Sequence, residues 1–355
     1  MHNFNGGNMK KFIEKMIVFI VLLFIILKGI NFIMFDDIHS YTRLMFEEMY
    51  EYNGNIDIVF LGSSHVYRSY DTKVTDEIFK ENTFNAGSSS QLLDGSYYVL
   101  KEIIKNNNVK TVYLDTYFGV NSKAEKSSGI ESYILTDYMK SSWNKYEYLL
   151  EIDGLEAITN NLFPLMHSKT YSIKNIKAKL TDGYKKENYK YVTYPNEKYC
   201  GNGFVYSFEN EKNYDFNYEI NEKKPLSDFS YKNLCKILLL CKENNINLVL
   251  VSAPMPDEML SKIKNYQVYI DWFKNFAIKN NIKYHNYNLC KKEYLVMNEN
   301  DYKDNNHLNG VGAEKFSEKM SNIEKILEDK EEKYKDIFYD TYEEKLKNNP
   351  DDTLK

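Results

Sequence analysis

The stretch "NIDIVFLGSSHVYRSYD", Asn55 to Asp71, sets an apolar run against a glycine, two serines and a histidine. The run from Ile56 to Gly62 is short and apolar after Asp57, the pattern of a strand buried on both faces rather than one with a wet side. The residues after it read as a turn at the carboxyl end of a strand, the end at which open parallel sheets bind their ligands. Ser63 and Ser64 are either ordinary turn and helix-cap residues, or one of them is a nucleophile. The rest of the chain must separate the two.

Outward from this stretch, the pattern alternates. "KVTDEIFKE" (Lys73–Glu81) predicts a helix, "TFNAG" (Thr83–Gly87) a strand, "QLLDGSYYVLKEIIKN" (Gln91–Asn106) a helix and "VKTVYLD" (Val109–Asp115) a third strand. That alternation argues for a parallel sheet covered by helices on both faces. It stops between about residues 118 and 225, a segment read as an insertion: helices over Ile130–Ser142, Lys145–Asn161 and near His167–Leu180, then an irregular or hairpin-like part rich in tyrosine. It resumes with a helix containing Cys235 and Cys241, a strand over Ile246–Pro254, one long helix beginning near Asp257, a strand over Ile282–Asn288 and a last helix from Val311 to Leu327. The charged run from 328 to 355 predicts a solvated helix or a disordered tail.

With 355 residues, 43% of them hydrophobic and 15% aromatic, the chain can bury a sizeable core. The net charge of -5 and the mixing of lysines with acids exclude the basic footprint of a nucleic-acid binder. Met16–Phe35 is apolar enough, and at about 20 residues long enough, to cross a bilayer as a helix. Lys10, Lys11 and Lys15 precede it and Asp36 and Asp37 come after it, so the positive-inside bias leaves residues 1–15 as a cytoplasmic tail and places 36–327 outside. No small-residue cleavage site comes after the apolar stretch, which favours an uncleaved signal anchor. Lys28, past mid-span, would have to snorkel. Cys235 and Cys241 lie about 9 Å apart along one helix and cannot bridge. Cys200 and Cys290 could pair, but nothing demands it, and a largely disulfide-free domain is the expectation. No CxxC or His/Cys cluster suggests a metal, and no cofactor is implied.

The strand ends decide the chemistry. The first delivers Gly62-Ser63-Ser64-His65, the second Asn85-Ala86-Gly87-Ser88, the third Asp115-Thr116-Tyr117, and the loop before the last helix carries Asp304 and His307. A serine with a histidine and an aspartate three residues apart is the arrangement of an activated nucleophile. These residues resemble the SGNH, or GDSL-like, superfamily of esterases and acyltransferases. Gly62-Ser63-Ser64 is similar to its first block, "NAGSSS" to its second, and "DNNHLNGVGAEKF", with Gly312, to its fifth. The resemblance implies a three-layer, flavodoxin-like α/β fold, Ser64 as nucleophile, His307 as base and Asp304 as its orienting acid, with Asp301 a competitor for that role. It also implies an oxyanion hole from the backbone N–H groups of Ser64 and Gly87. The family's Gly-x-Asn-Asp block after the third strand is absent; "LDTYFGVN" stands there, with Asn121 several residues late.

Gly-Ser-Ser resembles the membrane-anchored branch that modifies cell-envelope polymers, by teichoic-acid D-alanylation or polysaccharide O-acetylation. That implies an envelope polymer as substrate and a multi-span membrane acyltransferase as a partner. Further residues have two readings each. Ser63 is a turn residue. His65 is a substrate contact or a support of the triad, and Arg68 a clamp for an anionic polymer or half of an ion pair. Asn85 and Ser88 touch substrate or fix their loop. Asp115 and Tyr117 line the pocket, and the tyrosines of the insertion offer surfaces to sugar rings. His167 and His285 are read as structural.

Overall fold

A computed structural model of the chain describes residues 6–126, 130–168, 172, 176–181, 184, 193–211 and 217–349. The apolar amino-terminal segment forms one helix, α1 (Gly6–Met34), and α2 (Tyr41–Tyr50) links it to the sheet. The first half of the α/β unit is β1 (Ile58–Gly62), α3 (Ser64–Ser69), α4 (Thr72–Phe79), β2 (Thr83–Gly87), α5 (Leu93–Ile103) and β3 (Thr111–Asp115). The inserted segment holds α6 (Phe118–Asn121), α7 (Ile130–Thr136), α8 (Trp143–Leu162), a 3-10 turn at Pro164–Met166, α9 (Ile176–Lys179) and the short strands β4 (Thr193–Tyr194), β5 (Glu197–Gly201), β6 (Phe204–Ser207) and β7 (Tyr218–Glu219). The second half contains α10 (Asp228–Glu243), β8 (Asn247–Ser252), α11 (Asp257–Ser261), β9 (Ile263–Lys264), α12 (Tyr266–Asn280), β10 (Lys283–Asn286) and α13 (Gly310–Asp329).

Five strands make a parallel sheet in the order β10-β8-β3-β1-β2. This is the doubly wound order in which the chain leaves β1 first to one side and then to the other, so the crevice between β1 and β3 is the switch point where sites form. The strand pattern arises from burial on both faces. Val59 and Leu61 pack into the core beneath α5, α10 and α12, while Ile58 and Phe60 pack into a second core beneath α13. The structure is therefore the α/β three-layer architecture expected from the alternation.

Three expected elements differ. The long helix after β8 is two helices, because Asn265 adopts the left-handed conformation (φ 62°) and Ile263–Lys264 between them pair in parallel with β7. The helix over Lys145–Asn161 is kinked: Asp153 and Gly154 leave helical geometry, and Gly154 takes φ 62°, which a glycine tolerates best. The carboxyl-terminal run is folded against the domain as far as 349. Its helices α14 (Tyr334–Ile337) and α15 (Tyr342–Asn348) come after α13; Ile337 and Phe338 are buried, and Phe338 packs on Tyr287 and His285. Backbone bonds from Lys291 N–H to Ile337 O and from Tyr339 N–H to Leu289 O, and the Lys345–Asp257 ion pair, hold it there as well. The helix expected near His167–Leu180 lies partly outside the described residues; within them α9 is one turn.

The hairpin β5–β6 of the insertion caps the free edge of the sheet. Asn85 N–H on β2 donates to Asn202 O in its turn at 2.9 Å, and Glu197 on β5 pairs with Arg68 on α3 at 2.6 Å.

Candidate active site

Ser63 ends the extended backbone of β1 and caps α3, its hydroxyl accepting from His65 N–H. Ser64 is the first residue of that helix, so its own N–H lies among the first-turn donors that have no intrahelical acceptor. The cap thereby presents Ser64 Oγ at the carboxyl end of β1, beside the β1–β3 crevice.

The partner loop is held just as closely. Tyr302 and Leu308 bridge its two sides, Lys303 N–H donates to His307 O at 2.8 Å, and Asn309 caps α13 through Gly312 N–H at 3.0 Å. Inside this loop Asp304 accepts from the backbone N–H groups of Asn306 and His307, each at 3.0 Å. The same carboxylate receives His307 Nδ1 at 2.9 and 3.0 Å, and His307 Nε2 lies 2.8 Å from Ser64 Oγ. Serine, imidazole and carboxylate thus form one hydrogen-bonded chain across 243 residues of sequence. Partial burial alone would raise the Asp304 pKa, but the hydrogen bond and charge of His307 and the two backbone N–H groups outweigh it and hold the carboxyl well below its usual range. The negative charge is fixed on the side of the ring away from the serine. The competing Asp301 is turned away: it is buried, accepts from Asn298 N–H and pairs with Lys315 at 2.5 Å.

His65 is buried and stacks on Tyr117 with ring centroids 3.7 Å apart, while its ring tilts against His307 at 4.8 Å. Its Nε2 is buried without a hydrogen-bond partner among the described residues. Burial first, then the neighbouring His307, holds it well below the ordinary histidine value, so it is a neutral ring beside the triad. Tyr117 Oη accepts from Asn306 Nδ2 at 2.7 Å, which ties the end of β3 to the His307 loop; burial pushes this phenol up to about 12. Asp115 lies at the end of β3, fully buried, its Oδ2 accepting from Tyr117 N–H at 3.3 Å, and burial pushes its pKa up to about 7. His65 and Tyr117 therefore border the triad, and Asp115 supports Tyr117 from below.

Other expected contacts are spent elsewhere. Arg68 is buried in its pair with Glu197, so the clamp for an anionic polymer is replaced by an ion pair that holds the hairpin. Asn85 donates to Val66 O and Tyr70 O at 2.8 and 3.1 Å, which fixes the end of α3, and Ser88 Oγ donates to Gln91 Oε1 at 2.9 Å. Both side chains fix loops. Gly87 requires correction as an oxyanion donor: its N–H bonds to Asn85 Oδ1 at 3.2 Å. The strand geometry explains this. Ser88 N–H points to Gly62 O on β1, and Asn85 N–H points to the hairpin on the other side, so the N–H of Gly87, two residues on, points the same way as that of Asn85. Gly87 is needed for another reason, since a Cβ there would meet Ser63 O and Tyr67 N at 2.8 and 2.9 Å. Asn121 is buried on α6 beside the Tyr269 hydroxyl and supplies no donor to Ser64. His167 and His285 lie elsewhere, paired with Asp137 at 3.1 Å and Glu324 at 2.7 Å.

Sequence reasoning missed Asn306, Lys303 and Glu197. Lys303 reaches Glu209 at 2.6 Å, Asp304 at 3.7 Å and Glu197 at 3.8 Å, so one run of charges joins α3, the hairpin and the His307 loop. Asn306 had a signal in its position one residue before the histidine. Glu197 had none, because only the folded insertion brings it to Arg68. Among the described residues no group of three or more His, Cys, Asp or Glu side chains is placed to hold a metal ion.

No protein-family model matches the chain, and no curated protein matches it. Among solved structures it is similar to a GDSL-like lipase from Bacteroides thetaiotaomicron VPI-5482, with TM-score 0.37 and 14% identity over 82% of this chain and 98% of that one. It is also similar to a protein assigned to the G-D-S-L lipolytic family from Desulfitobacterium hafniense DCB-2, with TM-score 0.36 and 10% identity over 76% and 99% of the two chains. A protein assigned as an acylhydrolase from Bacteroides fragilis NCTC 9343 aligns with TM-score 0.37 and 11% identity over 80% and 93%. Scores this low establish neither family nor activity. What the molecule itself defines is a doubly wound α/β protein with a Ser–His–Asp arrangement at its switch point.

Proposed function

We propose that this protein is a serine ester hydrolase or O-acyltransferase of the SGNH type that works through an acyl-serine. The observation that carries this reading is the chain Ser64 Oγ–His307 Nε2 at 2.8 Å and His307 Nδ1–Asp304 at 2.9 Å. In it His307 removes the Ser64 proton as the hydroxyl attacks an ester carbonyl, the leaving alcohol takes that proton from the imidazolium, and water or a second alcohol releases the acyl group by the reverse sequence. Asp304 fixes the tautomer with Nε2 as acceptor and stabilises the imidazolium. The Ser64 N–H is the oxyanion donor.

The finer reading is a membrane-anchored enzyme, with α1 crossing the membrane, its amino terminus cytoplasmic and residues 36 onward outside. Its substrate is then an envelope polysaccharide or teichoic-acid-like polymer, with a multi-span acyltransferase as the source of acyl groups. It is supported by the apolar helix with lysines before it and aspartates after it. A second reading, a scaffold that binds polymer or partner without chemistry, is favoured by one observation: the Gly87 N–H is committed to Asn85.

Fluorophosphonate labelling of the full-length protein, with turnover of an acetyl ester, tests the choice. Wild type labels and turns over, and Ser64→Ala does neither. Absence of both in wild type, or a Ser64→Ala variant that equals wild type, favours the scaffold.

A further inference from the structure

The inserted segment does not only cap the sheet. Its described residues between 162 and 184 run along the carboxyl-terminal half of α1. Lys28 Nζ donates to Leu162 O and lies over the rings of Phe24 and Phe163, which meet edge to face at 5.7 Å. Asn31 Oδ1 accepts from Leu165 N–H at 2.9 Å, and Ser172 N–H donates to Met34 O at 2.9 Å. Lys179, its side chain fully buried, pairs with Asp37 at 2.7 Å and donates to Phe32 O at 2.7 Å.

These contacts fix a depth. A hydrocarbon layer of about 30 Å takes about 20 residues of helix, so a span that begins after Lys15 ends near Phe35. Lys28 and Asn31 then lie about 10 and 6 Å below its outer edge at about 1.5 Å per residue. Polar groups at that depth need protein partners, and the insertion supplies them, which places Leu162 to Met166 at the same level. The same segment exposes large apolar side chains: Met166 is 65%, Leu180 66% and Leu162 38% exposed, on the elements that pack against α1. Scattered apolar residues are ordinary on a surface, but a group gathered around an apolar helix is not.

We propose that residues 162–168 and 176–180 form a shoulder that sits in the outer leaflet, with Leu162, Met166 and Leu180 immersed at the boundary of headgroups and acyl chains. The partner is the phospholipid surface itself. The depth of about 5–10 Å matches that of helices that lie in the interface. A single spanning helix leaves the domain free to swivel; a second contact beside it holds the Ser64 site at one height and orientation above the bilayer. The inference rests on α1 spanning the membrane.

The test uses the full-length protein reconstituted in phosphatidylcholine–phosphatidylglycerol vesicles that contain lipids brominated at shallow or deep acyl positions. Met166→Trp and, as a second site, Leu180→Trp are compared with Ile278→Trp, at a position 79% exposed on α12, each against wild-type fluorescence. The expected result is that the shoulder variants add emission that shallow bromines quench at least twofold more than deep ones, while Ile278→Trp is not quenched. Equal, weak quenching at all three positions in protein that floats with vesicles and resists carbonate extraction overturns the shoulder, leaves the span intact and gives this face to a protein partner. Protein that fails to float overturns the span as well.

Discussion

The loop that ends in His307 and the loop that leaves β3 at Asp115 flank the same serine, yet they are held in different ways. The first is a short closed hairpin whose charges are met: Asp304 is ionised, bonded to two backbone N–H groups and an imidazole, and flanked by Lys303. The second carries a fully buried carboxyl, with no cation beside it among the described residues, and a phenol that stacks on the neutral His65 of α3. The contrast teaches that the Ser64–His307–Asp304 hydrogen-bonded chain is already assembled in the resting protein, while the side of the serine that faces β3 is held by burial and stacking.

The largest effect that would break the comparison comes from Asp304→Asn. The Asn Oδ1 keeps the two backbone bonds, but its amide faces His307 Nδ1 and forces the wrong tautomer, so kcat for an acetyl ester falls about 10⁴-fold with little change in the melting midpoint. A loss under tenfold would mean that Asp304 only closes the loop.

Asp115→Asn probes the other loop. Burial raises the Asp115 pKa to about 7, against about 3.9 in an unfolded chain. Between those values the folded protein keeps a proton that the unfolded chain has released, so this group makes stability fall as pH rises from about 4 to about 7. Asparagine removes that slope. The variant gains more in melting temperature at pH 8 than at pH 5, by an amount equivalent to a few kcal/mol at most, and equal shifts at both pH values would place Asp115 in a solvated setting.

The smallest effect sharpens the first loop. Lys303→Gln breaks the ion pairs with Glu209, Asp304 and Glu197, so the melting temperature falls by roughly 2–4 °C at low salt and the loss shrinks as salt is added. Lys303→Arg restores it. An unchanged melting temperature with a lowered kcat would make Lys303 an electrostatic neighbour of the triad rather than a prop for the hairpin.

Much of the fold was legible because short apolar runs separated by amphipathic stretches bury a parallel sheet in one way. The strand at Ile58–Gly62 and the serine turn after it arise from local pattern alone. Boundaries that depend on distant partners were not legible. Asn265 breaks a helix where Ile263 pairs with a strand of the insertion, and a charged carboxyl-terminal run docks where Phe338 meets His285 and Tyr287 and Lys345 pairs with Asp257.

The site divides the same way. By itself the sequence singled out Ser64, Asp304 and His307, which the fold brings together, since a serine at a strand end and an Asp-x-x-His before a helix are local arrangements that hold their geometry within a single turn. Only the tertiary structure decided that the Gly87 N–H turns to Asn85, that Arg68 answers Glu197, and that Lys28 finds its partner in Leu162 O. Hydrogen bonds and ion pairs of that kind are chosen by proximity across many residues, and residues that far apart become neighbours only once the sheet has been assembled.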